Sequence, residues 1–561
     1  MATLNFKGKA FVQNHHLLVK YHQLVPRKKK SVTKKVSLHD NLIIHGDNLK
    51  ALKALLPTYA GKIKCIYIDP PYNTGNEKWV YNDNVNSPMM QDWLGKVVDK
   101  EDLTRHDKWL CMMMPRLKLL RELLSDEGII FISIDDNEVN HLLDLMNEGL
   151  FFEENLRNII IVRRGVKSVQ AQFEKIDRLA IGAEYVLAYT KDSSYRFEQF
   201  RIDLENHRGG GWNNHWRGTN RPSMRYKLFG ITPETGQWRW SEKRSREAIR
   251  NYKTMLKEIG KKETEVTQED IDEWYLSKSE EGEEQDLLRL SENGKPEHYV
   301  PPSDTRYGSS LWADLKPNGN SQLKQIFGQK VFDNPKSVDL IKRLLKLANV
   351  EGTDIVLDSF AGSGTTAQAV LELNKEEGGN RRFILVQLPE KIEKDQASYR
   401  MGFRDVVEIT AERVRRVIKG VADTKRENLK NGLGGSFSFF ELGEPIEMES
   451  ILSGDELPSY KELARYVFYT ATGEEFDEKA VDRKANFIGE SREYIVYLFY
   501  KPDLEYLKKT ALTLDRAKAL GPYKNKRRLV FAPTKYLDQN HLDELRIDFA
   551  QLPFEIYQLA R

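Results

Sequence analysis

The sequence predicts a doubly wound α/β sheet, interrupted by an inserted domain and followed by a C-terminal α+β domain. Three observations predict it. Short β-branched or apolar runs alternate with amphipathic helical patterns. Acidic residues stand directly after several of those runs. The alternation stops near residue 195 and resumes near residue 330.

The elements follow in chain order. The runs Leu42–His45, Ile63–Ile68, Ile129–Ile134, Asn158–Val162 and Tyr185–Tyr189 read as buried parallel strands. The stretch Trp109–Leu124 (WLCMMMPRLKLLRELL) reads as a helix, with Met112, Met113 and Met114 as core fillers. Ile355–Leu357 and Phe383–Val386 resume the strand pattern, and Phe403–Ile418 reads as one more amphipathic helix. Thr424–Ser436 (TKRENLKNGLGGS) reads as a linker, charged first and Gly-rich last. Strand-like runs recur at Tyr494–Tyr500 and Arg528–Ala532. The expected domains are an N-terminal segment 1–40 with a basic cluster at 27–35, core parts 41–194 and 326–423, an insert 195–325, the linker 424–436 and a C-terminal domain 437–561. The basic cluster, RKKKSVTKK, reads as solvated linker.

Composition sets bounds. The 561 residues are 40 % hydrophobic and 10 % aromatic, enough for real cores, which excludes wholesale disorder. No apolar run approaches the ~18 residues needed to cross a bilayer, and the first residues lack a signal-peptide pattern. Two cysteines, Cys65 and Cys111, exclude a disulfide framework and a Cys-rich zinc site. A cytoplasmic location is expected. His15, His16, His22 and His39 lack companion ligands at metal spacing, so no metal is expected. With 87 Lys+Arg against 84 Asp+Glu the net charge is +3, near neutral. The average hides an asymmetry: residues 201–250 hold 11 Lys/Arg against 5 Asp/Glu, and residues 251–300 hold 7 against 14. Opposite blocks side by side suggest one basic working face.

The chemistry-bearing residues stand at strand ends. Gly46-Asp47, Asp69-Pro70-Pro71-Tyr72, Asp135-Asp136, Asp358-Ser359-Phe360-Ala361-Gly362-Ser363-Gly364 and Gln387-Leu388-Pro389-Glu390 each follow a strand-like run. In a parallel sheet those ends share the edge where ligands bind. A single Asp there is ordinarily a helix N-cap, but five such segments in register point to a cationic or donor-rich ligand. FAGSG is a Gly-rich turn that lets a ligand approach the backbone; with no Lys after the glycines it is not a phosphate loop. DPPY is stiffened by two prolines. It presents the Asp69 carboxylate and the Pro70 carbonyl as two acceptors, with Tyr72 as a stacking face. That suits an amino group on a flat ring.

DPPY followed by FAGSG, with an insert between them, resembles the S-adenosylmethionine-dependent DNA amino-methyltransferases of the circularly permuted β class. The runs HGDNLKALKAL (45–55), IDPPYNTGNEKWVYNDN (68–84), DEGIIFISIDDNE (126–138), EYVLAYTKD (184–192), FDNPKS (332–337) and LDSFAGSGTTAQAVLELN (357–374) are similar to the modification subunits of type III restriction–modification systems. QLPFEIYQLAR (551–561) carries a weaker likeness. The resemblance implies a Rossmann-like methyltransferase sheet and S-adenosyl-L-methionine as cofactor. Phe360, Ala361, Gly362, Ser363, Gly364 and Thr365 would pass close to it, with Asp358 anchoring their loop. Glu390, or alternatively Gln387, would take the ribose hydroxyls, and Asp47 would face the adenine amino group. Lys336 and Ser337 would hold the methionine end. Asp69, Pro70, Pro71 and Tyr72 would bind and activate the substrate base. The implied reaction is N6-adenine methylation of flipped-out bases in double-stranded DNA, with N4-cytosine methylation, an orphan enzyme or a catalytically silent recognition subunit as alternatives. The implied partners are a second copy in a homodimer and a separate ATP-dependent restriction subunit, since no GxxxxGK[ST] is present.

Sequence reading of DNA is expected from the insert. Arg208, Trp212, Trp216, Arg217, Arg221, Arg225, Trp238 and Arg239 interleave bases' stacking partners with phosphate and guanine ligands. A small domain that needs Trp for its own core is the alternative. A nuclease-like echo, Pro502-Asp503 with Asp515-Arg516-Ala517-Lys518, falls in a helical pattern and predicts no nuclease.

Overall fold

The computed structural model describes residues 4–73, 105–165, 179–445 and 457–552, apart from positions 149, 283, 284, 423, 425, 475 and 524. It divides into two compact units, Met1–Glu198 with Ser310–Arg561, and Gln199–Ser309.

The first unit is built on a ten-stranded sheet. In chain order its strands are β1 (His22–Pro26), β2 (Leu42–His45), β3 (Ile63–Ile68), β4 (Leu124–Ile134), β5 (Leu156–Arg163), β6 (Ala183–Thr190), β7 (Leu311–Trp312), β8 (Ile355–Asp358), β9 (Arg382–Gln387) and β10 (Ser438–Pro445). In space they run β1-β10-β2-β9-β8-β3-β4-β6-β5-β7. The block from β10 to β4 is parallel throughout. Its strands are apolar in consecutive positions because both faces are covered. Ile355, Leu357, Ile384 and Val386 join one core with α1 (Asn48–Tyr59), α2 (Arg105–Leu123) and α3 (Val139–Asn147). Val356, Phe383 and Leu385, pointing the other way, are equally buried on the face that carries α4 (Val338–Leu347), α5 (Thr365–Glu377) and α6 (Val406–Lys419).

Connectivity places the site. β8 continues through α5 to β9 on one side, while β3 continues through α2 to β4 on the other. The sheet therefore has its switch point between β8 and β3, where the connections part and leave a crevice at the carboxyl ends. β3 and β4 precede β8 and β9 in the chain, which is the circular permutation expected. Strand Tyr185–Tyr189, expected to be parallel, lies in β6 and runs antiparallel to both neighbours. Apolar periodicity reports burial and not direction, so the sequence could not separate the two.

Three boundaries differ from the sequence expectation. β10 pairs with β1 and β2, so the core sheet continues to Pro445, past the expected linker. Within 424–436, the helical turn Glu427–Lys430 buries Leu429. The basic cluster is tied down by Arg27 and Lys30, which both bind Glu441. At the far end, Tyr460–Thr472 packs Leu463, Val467 and Phe468 onto a four-stranded sheet of Phe487–Glu490, Tyr494–Leu498, Arg527–Ala532 and Ile547–Gln551. Asp515 stands in the helical turn Leu514–Lys518, and Asp503 caps another by accepting from the Glu505 and Tyr506 amides. No described helix is long and apolar enough to cross a membrane.

The second unit has a three-stranded sheet (Leu288–Leu290, Pro296–Val300, Gly211–Asn214) and a ribbon of Arg201–Arg208 with Ser303–Tyr307. Trp216–Arg217 pairs with Gln237–Trp238. Ser241 caps the helix Glu242–Ile259, and a Thr267–Asp270 capping box opens Gln268–Glu280. The unit is narrower than the expected 195–325, because Leu311–Trp312 joins the main sheet as β7 and the helix Gly319–Phe327 belongs to the first unit.

Candidate active site

At the switch point the strand ends open on a cavity of about 1000 Å³. One wall is the glycine loop after β8. Asp358, 2 % exposed, accepts from the Phe360 amide at 3.0 Å and from Thr366 Oγ1 at 2.5 Å, so its carboxylate shapes the turn. Burial drives its pKa up to about 7 against those two donors. Gly362 (φ +51°) and Gly364 (φ +81°) occupy the left-handed region, where a side chain is strained. A Cβ at Gly362 would stand 3.3 Å from the Phe332 ring, and one at Gly364 3.1 Å from Thr410 Cγ2. The first glycine thus keeps the cavity wall bare, and the second lets α6 approach.

The loop is held from behind by Gln387, read from the sequence as an alternative ribose ligand, and by Thr410 and Arg413, which the sequence reading did not single out. Gln387 Oε1 accepts from the Gly362 amide at 2.7 Å. Thr410 Oγ1 donates to the Gly362 carbonyl at 2.6 Å. Arg413, fully buried, donates to Ser363 Oγ at 2.9 Å, Thr365 Oγ1 at 2.8 Å and Gln368 Oε1 at 2.9 Å. Burial among neutral acceptors lowers its guanidinium pKa to about 9, with Glu372 opposing. A signal existed: Arg413 stands with Ile409, Thr410 and Val417 on the apolar stripe of the 403–418 pattern, where a charge is out of place.

The opposite wall is the loop after β3. Trp109 Nε1 donates to the Pro71 carbonyl at 2.7 Å, while the Pro70 carbonyl has no hydrogen-bond donor among the described residues. Lys336 enters from the segment before α4. Its Nζ lies 2.8 Å from Glu184 Oε2, 3.4 Å from Asp69 Oδ1 and 2.5 Å from Tyr72 Oη. Burial works to lower the Lys336 pKa, but the two carboxylates outweigh it and the ammonium is stabilised. Two acids around one base leave a negative surplus. Burial therefore raises Asp69, Lys336 offsets part of this, and Glu184 adds to it. Burial, with Asp69 and Glu184, pushes the Tyr72 phenol far up, so it stays neutral.

Asp69, Pro70, Pro71, Tyr72, Lys336, Ser337, Asp358, Phe360, Ala361, Gly362, Ser363, Thr365 and Glu390 all line this one cavity. Glu390 has no side-chain hydrogen bond among the described residues, and burial raises its pKa. Ser337 is engaged as the cap of α4, its Oγ bonding Asn318 Oδ1 at 2.8 Å. Asp47 and Gly364 are outside the lining: Gly364 faces Thr410, while Asp47 caps α1 by accepting from the Lys50 amide at 3.0 Å and lies 3.7 Å from Arg116. Lys336 stands against Asp69 and Tyr72, on the DPPY wall, and Glu184 was not anticipated.

In the second unit the aromatic residues divide. Trp238 is 3 % exposed, and its indole N–H donates to the Tyr226 carbonyl at 2.8 Å. Trp212 packs edge-on against Tyr252, with Arg289 over its ring. Both serve the unit's core and offer no free ring face to a base. Trp216 is 41 % exposed, beside exposed Arg217. Arg208, Arg221 and Arg239 are exposed as well, and none of these four arginines has an ion pair among the described residues. Arg225 is partly buried and donates to the Gly236 carbonyl at 2.7 Å.

Residues 63–398 match the family model described as DNA methylase. The chain is 29 % identical over 461 residues to the type III restriction-modification enzyme StyLTI Mod subunit of Salmonella typhimurium, covering 77 % of this chain and 64 % of that one. It is 29 % identical over 448 residues to the EcoPI Mod subunit of Escherichia phage P1, covering 74 % and 67 %. It is 32 % identical over 412 residues to the type II methyltransferase M.KpnI of Klebsiella pneumoniae, covering 69 % and 89 %. The chain thus spans about two thirds of the length of the two Mod subunits and most of M.KpnI. With glycine loop and DPPY loop on one cavity inside the matched region, the chain belongs to the N6/N4 DNA methylase family.

Proposed function

We propose that this chain transfers a methyl group from S-adenosyl-L-methionine to N6 of a flipped-out adenine in double-stranded DNA, as the modification and recognition subunit of a type III restriction–modification system. The observation that carries the reading is the single cavity shared by Asp69–Tyr72 and by Phe360–Ser363 with Thr365. Its residues fit that cofactor: a bare glycine wall, the aromatic surfaces of Phe332 and Phe360, and, for ribose hydroxyls, the Glu390 carboxylate, which has no side-chain hydrogen bond among the described residues.

The exocyclic nitrogen of adenine is a poor nucleophile because its lone pair is delocalised into the ring. Asp69 and the Pro70 carbonyl, accepting from its two N–H groups, localise that pair on nitrogen. The bound cofactor supplies a sulfonium-linked methyl, whose C–S bond breaks as the N–C bond forms. The nitrogen then carries one proton too many. Asp69, its pKa raised by burial and Glu184, is the acceptor in reach. Lys336 fixes Asp69 and Tyr72 in place, so the work is positioning and electrostatics. Extruding the base costs a few kcal/mol. Stacking on Tyr72 offsets roughly 1–3 kcal/mol of it.

The test is incubation of the full chain with labelled S-adenosylmethionine and plasmid DNA, beside Asp69→Ala, followed by nucleoside analysis. Label in N6-methyladenine, reduced at least ~100-fold in the variant, is expected. Label in 4-methylcytosine overturns the adenine assignment; undiminished label in the variant overturns the role of Asp69. The homodimer and the ATP-dependent partner belong to the same proposal, checked by light scattering and by co-purification.

A further inference from the structure

Directly after DPPY, Asn73 turns the chain with φ +53° and sends its side chain into a second polar cluster. Its amide donates to Glu138 Oε1 and to the Arg105 carbonyl. Glu138, before α3, has a fully buried side chain. His106, in the first turn of α2, brings Nδ1 to 2.7 Å from Glu138 Oε1. His141, in the first turn of α3, brings Nδ1 to 2.9 Å from Glu138 Oε2. The two imidazoles face each other with centroids 4.5 Å apart.

Two imidazoles and a carboxylate make a donor set for a borderline divalent metal. One ligand atom from each of the three residues can be chosen so that all lie within 4.8 Å of one another. Bonds of about 2.0–2.1 Å to a tetrahedral zinc separate ligand atoms by roughly 3.3 Å, so small side-chain rotations close the set. Glu138 and His141 are three apart at the start of one helix and share a face. His106 comes from another helix, and Asn73 holds the carboxylate from outside, as groups behind metal ligands do. The histidine side chains are 32 % and 36 % exposed, so water reaches a fourth position. Hydrogen bonding alone leaves a fully buried carboxylate facing two imidazoles, and a divalent cation satisfies all three together.

We propose that His106, Glu138 and His141 form a divalent transition-metal site, best matched to Zn²⁺, that ties α2 to the start of α3 behind Asn73. Trp109, one turn along α2 from His106, already grips the Pro71 carbonyl, so a metal here braces the target-base wall from its rear. The site is structural: it takes no part in methyl transfer, and its existence does not depend on which base is methylated.

The full chain, stripped with a chelator and dialysed, is titrated with Co²⁺ and then Zn²⁺. One equivalent of Co²⁺ per chain is expected, with visible ligand-field absorption that Zn²⁺ abolishes, and Zn²⁺ should raise the melting temperature. His106→Ala/His141→Ala should lose the absorption and the thermal shift, whereas His207→Ala, at an exposed histidine paired with Asp304, should keep both. Glu138→Gln should weaken Co²⁺ binding at least tenfold. A wild-type chain that binds no stoichiometric Co²⁺ overturns the proposal without reference to any variant. So does an equivalent that persists in the double variant.

Discussion

Lys336 shows what a single residue does here and why its place was hidden. The sequence reading put it at the methionine end of the cofactor; the structure sets it against Asp69, Tyr72 and Glu184. These partners lie 267, 264 and 152 positions away, and only the permuted sheet brings them together. No local pattern reports such a meeting. Asp69 and Tyr72 were legible because a proline-stiffened loop after a strand is itself a local pattern. The cluster makes a signed prediction about pH. Glu184 raises the Asp69 pKa and Lys336 lowers it. Glu184→Gln should therefore move the acidic limb of kcat/KM to lower pH, and Lys336→Met should move it to higher pH. Profiles shifting in the same direction would refute the assignment of that limb to Asp69.

At the scale of elements, the glycine loop is a product of its neighbours. Its strand, its acidic anchor and its glycines were readable, but the clamp from α6 was not. An arginine in an amphipathic helix is ordinarily solvated; its place on the apolar stripe signals that Arg413 is inside, and only packing shows what it holds. Arg413→Met leaves Gln368 Oε1 and Ser363 Oγ without their donor, at a cost of roughly 2–4 kcal/mol. Since the proposed function makes the loosened loop the cofactor wall, cofactor affinity should fall at least ~10-fold while affinity for DNA alone changes little; calorimetry and gel shift separate the two. Asp358 gives the element a pH signature. Its folded pKa of about 7 lies above the unfolded value of 3.8, so the fold binds the extra proton. The stability Asp358 lends is full below the lower value and is lost as pH rises through the upper one, at most ~4 kcal/mol. Asp358→Asn removes that dependence. Its melting temperature relative to the parent should rise between pH 5 and pH 8, and a fall would contradict the buried acid.

At the scale of the molecule, the proposed function asks how a chain of charge +3 would grip a polyanion. The charge pairing within the second unit supports an answer. The acidic stretch 251–300 spends part of its charge close to home: Asp286 on Arg244, Asp270 on Lys261 and Glu297 on Arg289. The sequence showed two opposed blocks but not which charges cancel, because pairing across a fold has no signature in linear order. Nor could it say which tryptophans face inward, since a two-residue strand has no periodicity to read. Arg208, Arg217, Arg221 and Arg239 are exposed and carry no ion pair among the described residues, and Trp216 is exposed beside Arg217. We predict that Arg217→Glu/Arg221→Glu/Arg239→Glu weakens DNA binding and flattens its salt dependence, each lost phosphate contact lowering the slope of log K against log salt by about 0.9. Cofactor binding should be unchanged, because none of the three lines the cavity. Trp216→Ala should cost roughly 1–3 kcal/mol if the ring stacks on a base, with the salt slope untouched. Trp238→Ala should instead unfold the unit, as its 3 % exposure demands. If the triple variant bound DNA with the parental affinity and salt slope, the reading face would have to lie elsewhere on the chain.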